Sequence, residues 1–306
     1  MKNNKISYFL IIIVVLIFSS YNLFCQNYCP YYKYINKAEL ESDNNNHENS
    51  LLFYDSAFTI KTPLPSHLIH ALKESAKMKD FKRYTNYLNA LTDCGVDAAK
   101  EISSMDYADE YKETNDYKDF IKKYEARLKI GQGSFDSTLI LQLKNMAITD
   151  QQYRMNHYEK GDTSFYKPMR DADIENFFLL KKIVEEKGWP DFRKAGTSCS
   201  GIANMILLHG SRYFSLESEE WLFFENILKN EINEGNFYPI TLAQWIDQHL
   251  ILIEKKAQRY GSVANQDGVL FPVEDIKNID VKREELCLES LADYMKKKGY
   301  TIGFNK

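Results

Sequence analysis

The chain is sparing with the residues that punctuate or staple a fold: 306 residues include only 5 cysteines, 7 prolines and 13 glycines. Each scarcity excludes a class. So little proline and glycine rules out collagen-like and low-complexity architectures. The cysteines show no C-x-x-C and no spacing of a disulfide framework or a zinc site. Cys29, Cys94, Cys199 and Cys287 are therefore read as buried or free thiols, with a single bridge conceivable in an oxidising compartment. Basic charge is in deficit, with 39 Lys and Arg against 43 Asp and Glu, and no basic stripe appears, which argues against nucleic acid as a partner. Signature loops are missing as well: there is no P-loop, no G-x-G-x-x-G, no H-E-x-x-H and no G-x-S-x-G. Gly196-Thr197-Ser198-Cys199-Ser200-Gly201 has the wrong glycine spacing for a nucleophile elbow. Cys199 and His209 would be roughly 15 Å apart along one helix, too far for a thiolate–imidazolium pair.

Only one long apolar run is present, Ile6–Phe18, preceded by Lys2 and Lys5 and followed by Ser19-Ser20-Tyr21-Asn22. As a helix it would span roughly 20 Å, short of a hydrocarbon core of roughly 30 Å. Residues 1–25 are read as a signal peptide, and the protein is expected to be exported, periplasmic or extracellular. The alternative is an anchor through this segment, uncleaved or lipidated at Cys25, but Phe24 is bulky where a lipobox needs a small residue.

What is present in quantity is helical periodicity, so the expected class is all-α. Residues 26–47, with the polar run Glu41–Asn46, are read as a linker. Residues 48–130 are read as a short helical-repeat module, with Ser66 and Asp80 as helix starts and Gly95 at a helix end. In the pair 66–93, Ala71, Tyr87 and Ala90 fall where a tetratricopeptide-type repeat puts small and aromatic residues, whereas Arg83 stands where it usually has Ala. Gly131-Gln132-Gly133-Ser134 is the expected domain boundary. A multi-helix orthogonal or bundle domain over 134–306 follows, with helices near 136–158, 173–187, 198–209, 218–233, 241–259 and 281–298. A short strand or turn is expected at Gly268–Val273.

Several polar residues of this second domain fall on inward faces. Steps of three and four from Leu139, Leu143 and Met146 reach Asp150, Arg154 and His157. Asp150 and Arg154 are a candidate buried pair, and the Arg154 fork suits a carboxylate or phosphate. Asp173 reads most simply as a helix-start acid, with Asn176 beside it. Gly188-Trp189-Pro190 ends a helix, with Trp189 packing or walling a pocket. His209 closes a helix whose C-terminus favours an imidazolium. Asp247 lies at the edge of an apolar face that includes His249, and Tyr260 continues that side. No metal or cofactor is expected. A metal on His209, His157 or His249 with Asp150 or Asp247 would leave no spacing signal.

The constellation Asp150-Gln151-x-x-Arg154, Asp173-x-x-Asn176, Gly188-Trp189-Pro190, His209, Asp247 and Arg259-Tyr260-Gly261-Ser262 resembles a bacterial domain family of unknown function, the one numbered 6624. In that family an N-terminal helical array is a familiar companion. This chain departs from the family where Asp247-Gln248 replaces Asp-Arg and Tyr260-Gly261-Ser262-Val263 replaces Tyr-Gly-Thr-Gln. The resemblance names no reaction.

These observations give three functional expectations. The first is an exported protein that binds a partner or small ligand, with the helical module making protein contacts and Arg154, Asn176, Trp189, Arg259 and Tyr260 as ligand-binding candidates. The second is a hydrolase-type enzyme with His209 as acid–base, Asp150 or Asp247 as its orienter, and Arg154 on an anionic group. In the third, the inward polar residues only satisfy one another.

Overall fold

The computed structural model describes residues 29–103, 108–155, 161 and 163–303. The expected signal segment and His157 lie outside them. The chain is all-α, with two short strands near its end. In order the elements are α1 Cys29–Asp43, α2 His47–Ile60, α3 Pro65–Lys77, α4 Phe81–Asp93, α5 Ala98–Ser103, α6 Ala108–Lys112, α7 Asn115–Gly133 and α8 Ser137–Arg154. Then follow α9 Tyr166–Lys187, α10 Phe192–Gly210, α11 Glu219–Asn233, α12 Pro239–Leu252, β1 Val269–Leu270, α13 Ile279–Glu285, α14 Leu291–Lys298 and β2 Thr301–Ile302. None of the described helices is long and apolar enough to cross a membrane.

Side-chain caps set six of the helix starts. Asp80, Thr114, Asp136, Asp191, Ser218 and Ser290 each accept a hydrogen bond from a backbone N–H in the first turn that follows, satisfying donors that the helix leaves orphaned. Ser66 does not cap α3, which begins at Pro65, a residue whose missing N–H is no loss there. The Ser66 hydroxyl instead donates to Tyr238 Oη at 2.5 Å. The stretch expected near 281–298 is two helices, separated by a turn at Leu286–Ser290, and the one expected near 241–259 stops at Leu252. Val269–Leu270 pairs in parallel with Thr301–Ile302, at the place where the sequence predicts a strand.

The linker expected over residues 26–47 is helix from Cys29 onward, continuing after a short turn into α2. Tyr31, Tyr32, Ile35 and Ala38 are spaced to share one face of α1, and all four are buried. The polar run that suggests a linker is only the end of α1 and its turn. The boundary expected at Gly131–Ser134 is not a flexible joint either. Gly131 lies inside α7, and a Cβ there would sit 2.7 Å from both Gly95 N and Thr92 O. Glycine is present because α7 presses its backbone on the end of α4.

The sequence predicts two halves with separate cores. The structure has one main core that runs from Tyr31 through Phe120, Leu143, Phe177 and Trp221 to Leu288. A satellite of Leu270, Ile279 and Leu291 supports the C-terminal turn region. Two distant parts of the chain are joined covalently: Cys29 and Cys287 form a disulfide with Cα atoms 5.0 Å apart, where free thiols are expected from spacing. Spacing does not reveal a bridge between residues 258 positions apart. Around it, Tyr32 Oη donates to Phe237 O at 2.7 Å, and Lys297 Nζ donates to Glu39 Oε2 at 2.7 Å.

Two outcomes follow. Replacing Cys29 and Cys287 together with Ser should lower stability by roughly 3–5 kcal/mol, since the bridge closes most of the chain into a loop. Paired denaturation curves of oxidised wild type and the double variant measure this. Residues 134–306 expressed alone should lack a cooperative thermal transition by circular dichroism, because Tyr238, Lys297 and Leu288 lose the helices they pack against; a sharp two-state melt of that fragment would contradict the single core.

Candidate functional site

Three of the inward residues singled out in the sequence do converge. Asp150 and Arg154 occupy the last turns of α8, and His209 is the penultimate residue of α10. Gly210 permits the approach: a Cβ on it would lie 2.5 Å from Phe177 Cβ and 2.9 Å from Asp173 O, so α10 and α9 touch backbone to side chain here. Asp173 joins the group from within α9. It is not a helix-start acid, because α9 begins seven residues earlier, at Tyr166.

His209 Nδ1 lies 2.8 Å from Asp150 Oδ1, and Arg154 Nε donates to Asp150 Oδ2 at 3.1 Å. The other end of the Arg154 fork reaches across, with Nη2 donating to Asp173 Oδ1 at 2.5 Å, and Tyr213 Oη donates to Asp173 Oδ2 at 3.2 Å. Gln151 Nε2 donates to Asp150 Oδ2 at 2.6 Å. Side-chain exposure is 0% for Asp150, 2% for Asp173, 11% for Arg154 and 14% for His209, so the carboxylates are sealed while Arg154 and His209 reach the edge. Burial alone would push Asp150 upward, but His209 and Arg154 more than offset it and hold this carboxyl below its ordinary range. At Asp173 burial prevails over Arg154, and the group is pushed up.

The charges decide what the cluster can do. Two buried carboxylates share one guanidinium, so the group is one positive charge short unless His209 is an imidazolium or a carboxyl keeps its proton. Ligand atoms of Asp150, Asp173 and His209 lie within 4.8 Å of one another, a spacing a metal ion could use. Arg154 already bonds both carboxylates, and an ion would have to displace it. Having committed both arms of its fork, Arg154 is a brace and does not offer the bidentate anion grip expected of it. Among the described residues His209 Nε2 makes no hydrogen bond, so the ring is held at Nδ1 by a buried carboxylate and its other nitrogen is available to exchange a proton.

The remaining candidates lie elsewhere and hold the fold together. Asp247 does not orient His209. Its carboxylate accepts from Arg259 N at 2.7 Å, Tyr260 N at 3.0 Å, Ser262 N at 2.9 Å and Ser262 Oγ at 2.7 Å, which makes it the clasp of the loop after α12. Arg259 and Tyr260 serve that loop through their backbone. Tyr260 is buried, and its carbonyl accepts from Arg283 Nη1 at 2.6 Å. Asn176 donates to Met146 O at 3.2 Å, tying α9 to α8. Trp189 is 1% exposed and meets the Phe224 and Phe237 rings edge-on, so it is a core residue.

Sequence reasoning missed a second place altogether. A cavity of about 540 Å³ opens between α1, α3, the start of α12 and α14. On one side Lys297 Nζ bridges Glu39 Oε2 at 2.7 Å and Glu289 Oε1 at 2.8 Å. Burial would raise Glu39, but His70 and Lys297 outweigh it and hold the carboxyl at about 2. On another side stands His67, whose burial pushes it down to about 3, so the ring is neutral at ordinary pH. Leu64 N donates to Tyr31 Oη at 3.1 Å, and Tyr31 Oη lies 2.6 Å from His67 Nδ1. We assign the tyrosine hydrogen to Nδ1 and the imidazole proton to Nε2, the tautomer in which Tyr31 Oη both accepts from Leu64 N and donates to the ring. Glu39 falls inside the expected linker, and Lys297 stands in a lysine run that reads as solvated surface. Only His67 carries a sequence cue, since it shares the buried face of α3 with Ala71 and Glu74.

No family model, no curated protein and no solved structure matches the chain.

The network on α8, α9 and α10 generates a stability test. Arg154→Ala should cost roughly 3–5 kcal/mol by orphaning two buried carboxylates, and adding Asp173→Asn should recover part of the loss. Asp150, with its folded-state value depressed, contributes stability that is fully present above the unfolded value near 3.8 and is lost as pH falls through the folded value. Asp150→Asn should accordingly flatten the acid limb of the stability profile. Chemical denaturation from pH 2 to pH 7 reads both effects, and additive losses in the double variant would mean the pair is not coupled.

Proposed function

We propose that the protein is an exported binding protein that takes a small polar ligand into the cavity between α1, α3, α12 and α14. The observation that carries this is the cavity itself: at about 540 Å³ it falls in the range of small-molecule sites, and it is lined by tyrosines, a neutral histidine and paired charges in place of a filled apolar core. Export is supported by the basic and apolar N-terminal pattern and by the Cys29–Cys287 bridge, a linkage that persists in oxidising compartments. On this reading α1 and the first helices of the repeat-like module expected over residues 48–130 act together. They supply one wall of the ligand site and leave their outer faces for a protein partner.

The Asp150–His209 contact favours a second reading, a hydrolase-type activity with His209 as acid–base and Asp150 as its orienter. Asp247 and Arg154 drop out of that mechanism, the first clasping a loop and the second bracing two carboxylates. His209→Gln, with an unchanged melt and loss of turnover on an activated ester, would be its signature.

The ligand reading is tested by thermal shift with free amino acids, monosaccharides, nucleosides and short peptide amides. At least one class should raise the melting temperature by several degrees, and Asn36→Trp, which plugs the cavity from its rim, should abolish the shift. A shift that survives the plug, or none with any class, would sink the reading.

A further inference from the structure

The polar groups that line the cavity divide into two kinds. Of the charged ones, Asp43, Lys73 and Lys298 are exposed, and those set deeper are spoken for. Lys297 gives its ammonium to Glu39 and Glu289, and Glu74 is paired with Lys77 at 2.9 Å and with His47 Nδ1 at 2.7 Å. Arg283 stands behind Glu289 at 4.0 Å, so two acids meet two bases there. His70 is half exposed, 3.8 Å from Glu39 Oε1. A ligand ion that passed these exposed residues into the depth of the cavity would find the counter-charges there already engaged and would lose its hydration shell for little return.

Among the uncharged aromatic groups, Tyr32 and Tyr294 already give their hydroxyl hydrogens to the carbonyls of Phe237 and Ser262. Three others keep a hydrogen to give. His67 Nδ1 is occupied by Tyr31, which leaves Nε2–H without a partner among the described residues. Tyr238 Oη accepts from Ser66 Oγ, which leaves its own hydrogen to give. The His67 and Tyr238 rings meet edge-on at 5.3 Å, so the two donors are neighbours. Tyr54 lines the same cavity at 1% exposure, and its hydroxyl makes no hydrogen bond among the described residues. Its proton is free for an acceptor oxygen that enters the cavity.

Building on the ligand-binding reading, we propose that the cavity selects an uncharged ligand that presents hydroxyl or carbonyl oxygens to His67, Tyr54 and Tyr238, and that it discriminates against charged analogues of the same size. The rings of the four tyrosines that line it, Tyr32, Tyr54, Tyr238 and Tyr294, suit the flat apolar side of such a molecule.

Isothermal titration of the full chain with matched compounds tests this. N-acetylglucosamine and N-acetylalaninamide are neutral and rich in acceptors, one a saccharide and the other a peptide amide, and whichever binds identifies the source of the oxygens. Glucosamine adds a positive charge, and glucuronic acid a negative one. At least one neutral compound should bind about tenfold or more tightly than both charged ones, as expected when an ion must be desolvated without a partner. Tyr54→Phe should leave the thermal melt unchanged, because its hydroxyl bonds nothing among the described residues, yet weaken the neutral ligand by up to about tenfold, the worth of one hydrogen bond. Tyr238→Phe should weaken it similarly.

Equal or tighter binding of a charged analogue would overturn the inference, as would unchanged affinity in both tyrosine variants or no binding of either neutral compound. The cavity reading would survive those results if another compound gave a shift that Asn36→Trp removes, so the two failures are distinguishable.

Discussion

The attachment of α1 to the far end of the chain is the constraint on which the rest depends. Tyr31, Tyr32, Ile35 and Ala38 fill one side of the main core, and the bond from Cys29 to Cys287 fixes that helix beside the turn that precedes α14. Tyr32 then ties the same helix to Phe237, and Glu39 ties it to Lys297. Without α1 the cavity has no wall, and Glu39 is not there to neutralise a buried ammonium. A covalent bond suits this junction because a small number of side chains must hold two ends of the sequence together, and loop-closure entropy makes such a contact the hardest for a chain to find.

Polar groups elsewhere in the core show how much buried charge the fold accommodates. Asp247 accepts hydrogen bonds from three backbone N–H groups and a hydroxyl, which holds the loop 259–262. Arg283 is fully buried and gives Nε and Nη1 to the carbonyls of Glu289 and Tyr260, with the Tyr294 ring 4.8 Å from its guanidinium carbon. These two residues fix a C-terminal segment that is poor in regular structure. Asp247 is saturated by its donors, whereas Arg283 engages Nε and Nη1 and leaves Nη2 without a hydrogen bond, 4.0 Å from Glu289; an apolar substitution at either would leave the loop carbonyls and amides unsatisfied.

The helices were largely legible, because periodic apolar residues and capping chemistry are local. The face containing Leu139, Leu143, Met146 and Asp150 is buried as its spacing requires, and His209 closes α10 as expected. The convergence of Asp150, Arg154 and His209 was legible too, since charges at core spacing must find one another. What each does was not. Arg154 reads as an anion binder until Asp173 is placed across from it, and Asp247 reads as catalytic until the loop amides are placed around its carboxylate. The helix α1 was obscured by composition, because closely spaced tyrosines and a polar tail masked a periodic face. Apart from His67 on the buried face of α3, the cavity had no local signal: Glu39 and Lys297 stand 258 residues apart and become neighbours only once the core has formed.

The two polar regions differ in one respect that bears on function. In the cluster of α8, α9 and α10 each carboxylate oxygen has a donor, and Arg154 has committed its fork; the network is nearly complete, with His209 Nε2 as its open valence. Around the cavity the deeper charges are paired, but the neutral donors of His67, Tyr54 and Tyr238 are left over beside open space. Three donors with uncommitted hydrogens gathered at one opening form an arrangement that a ligand supplying acceptor oxygens would complete.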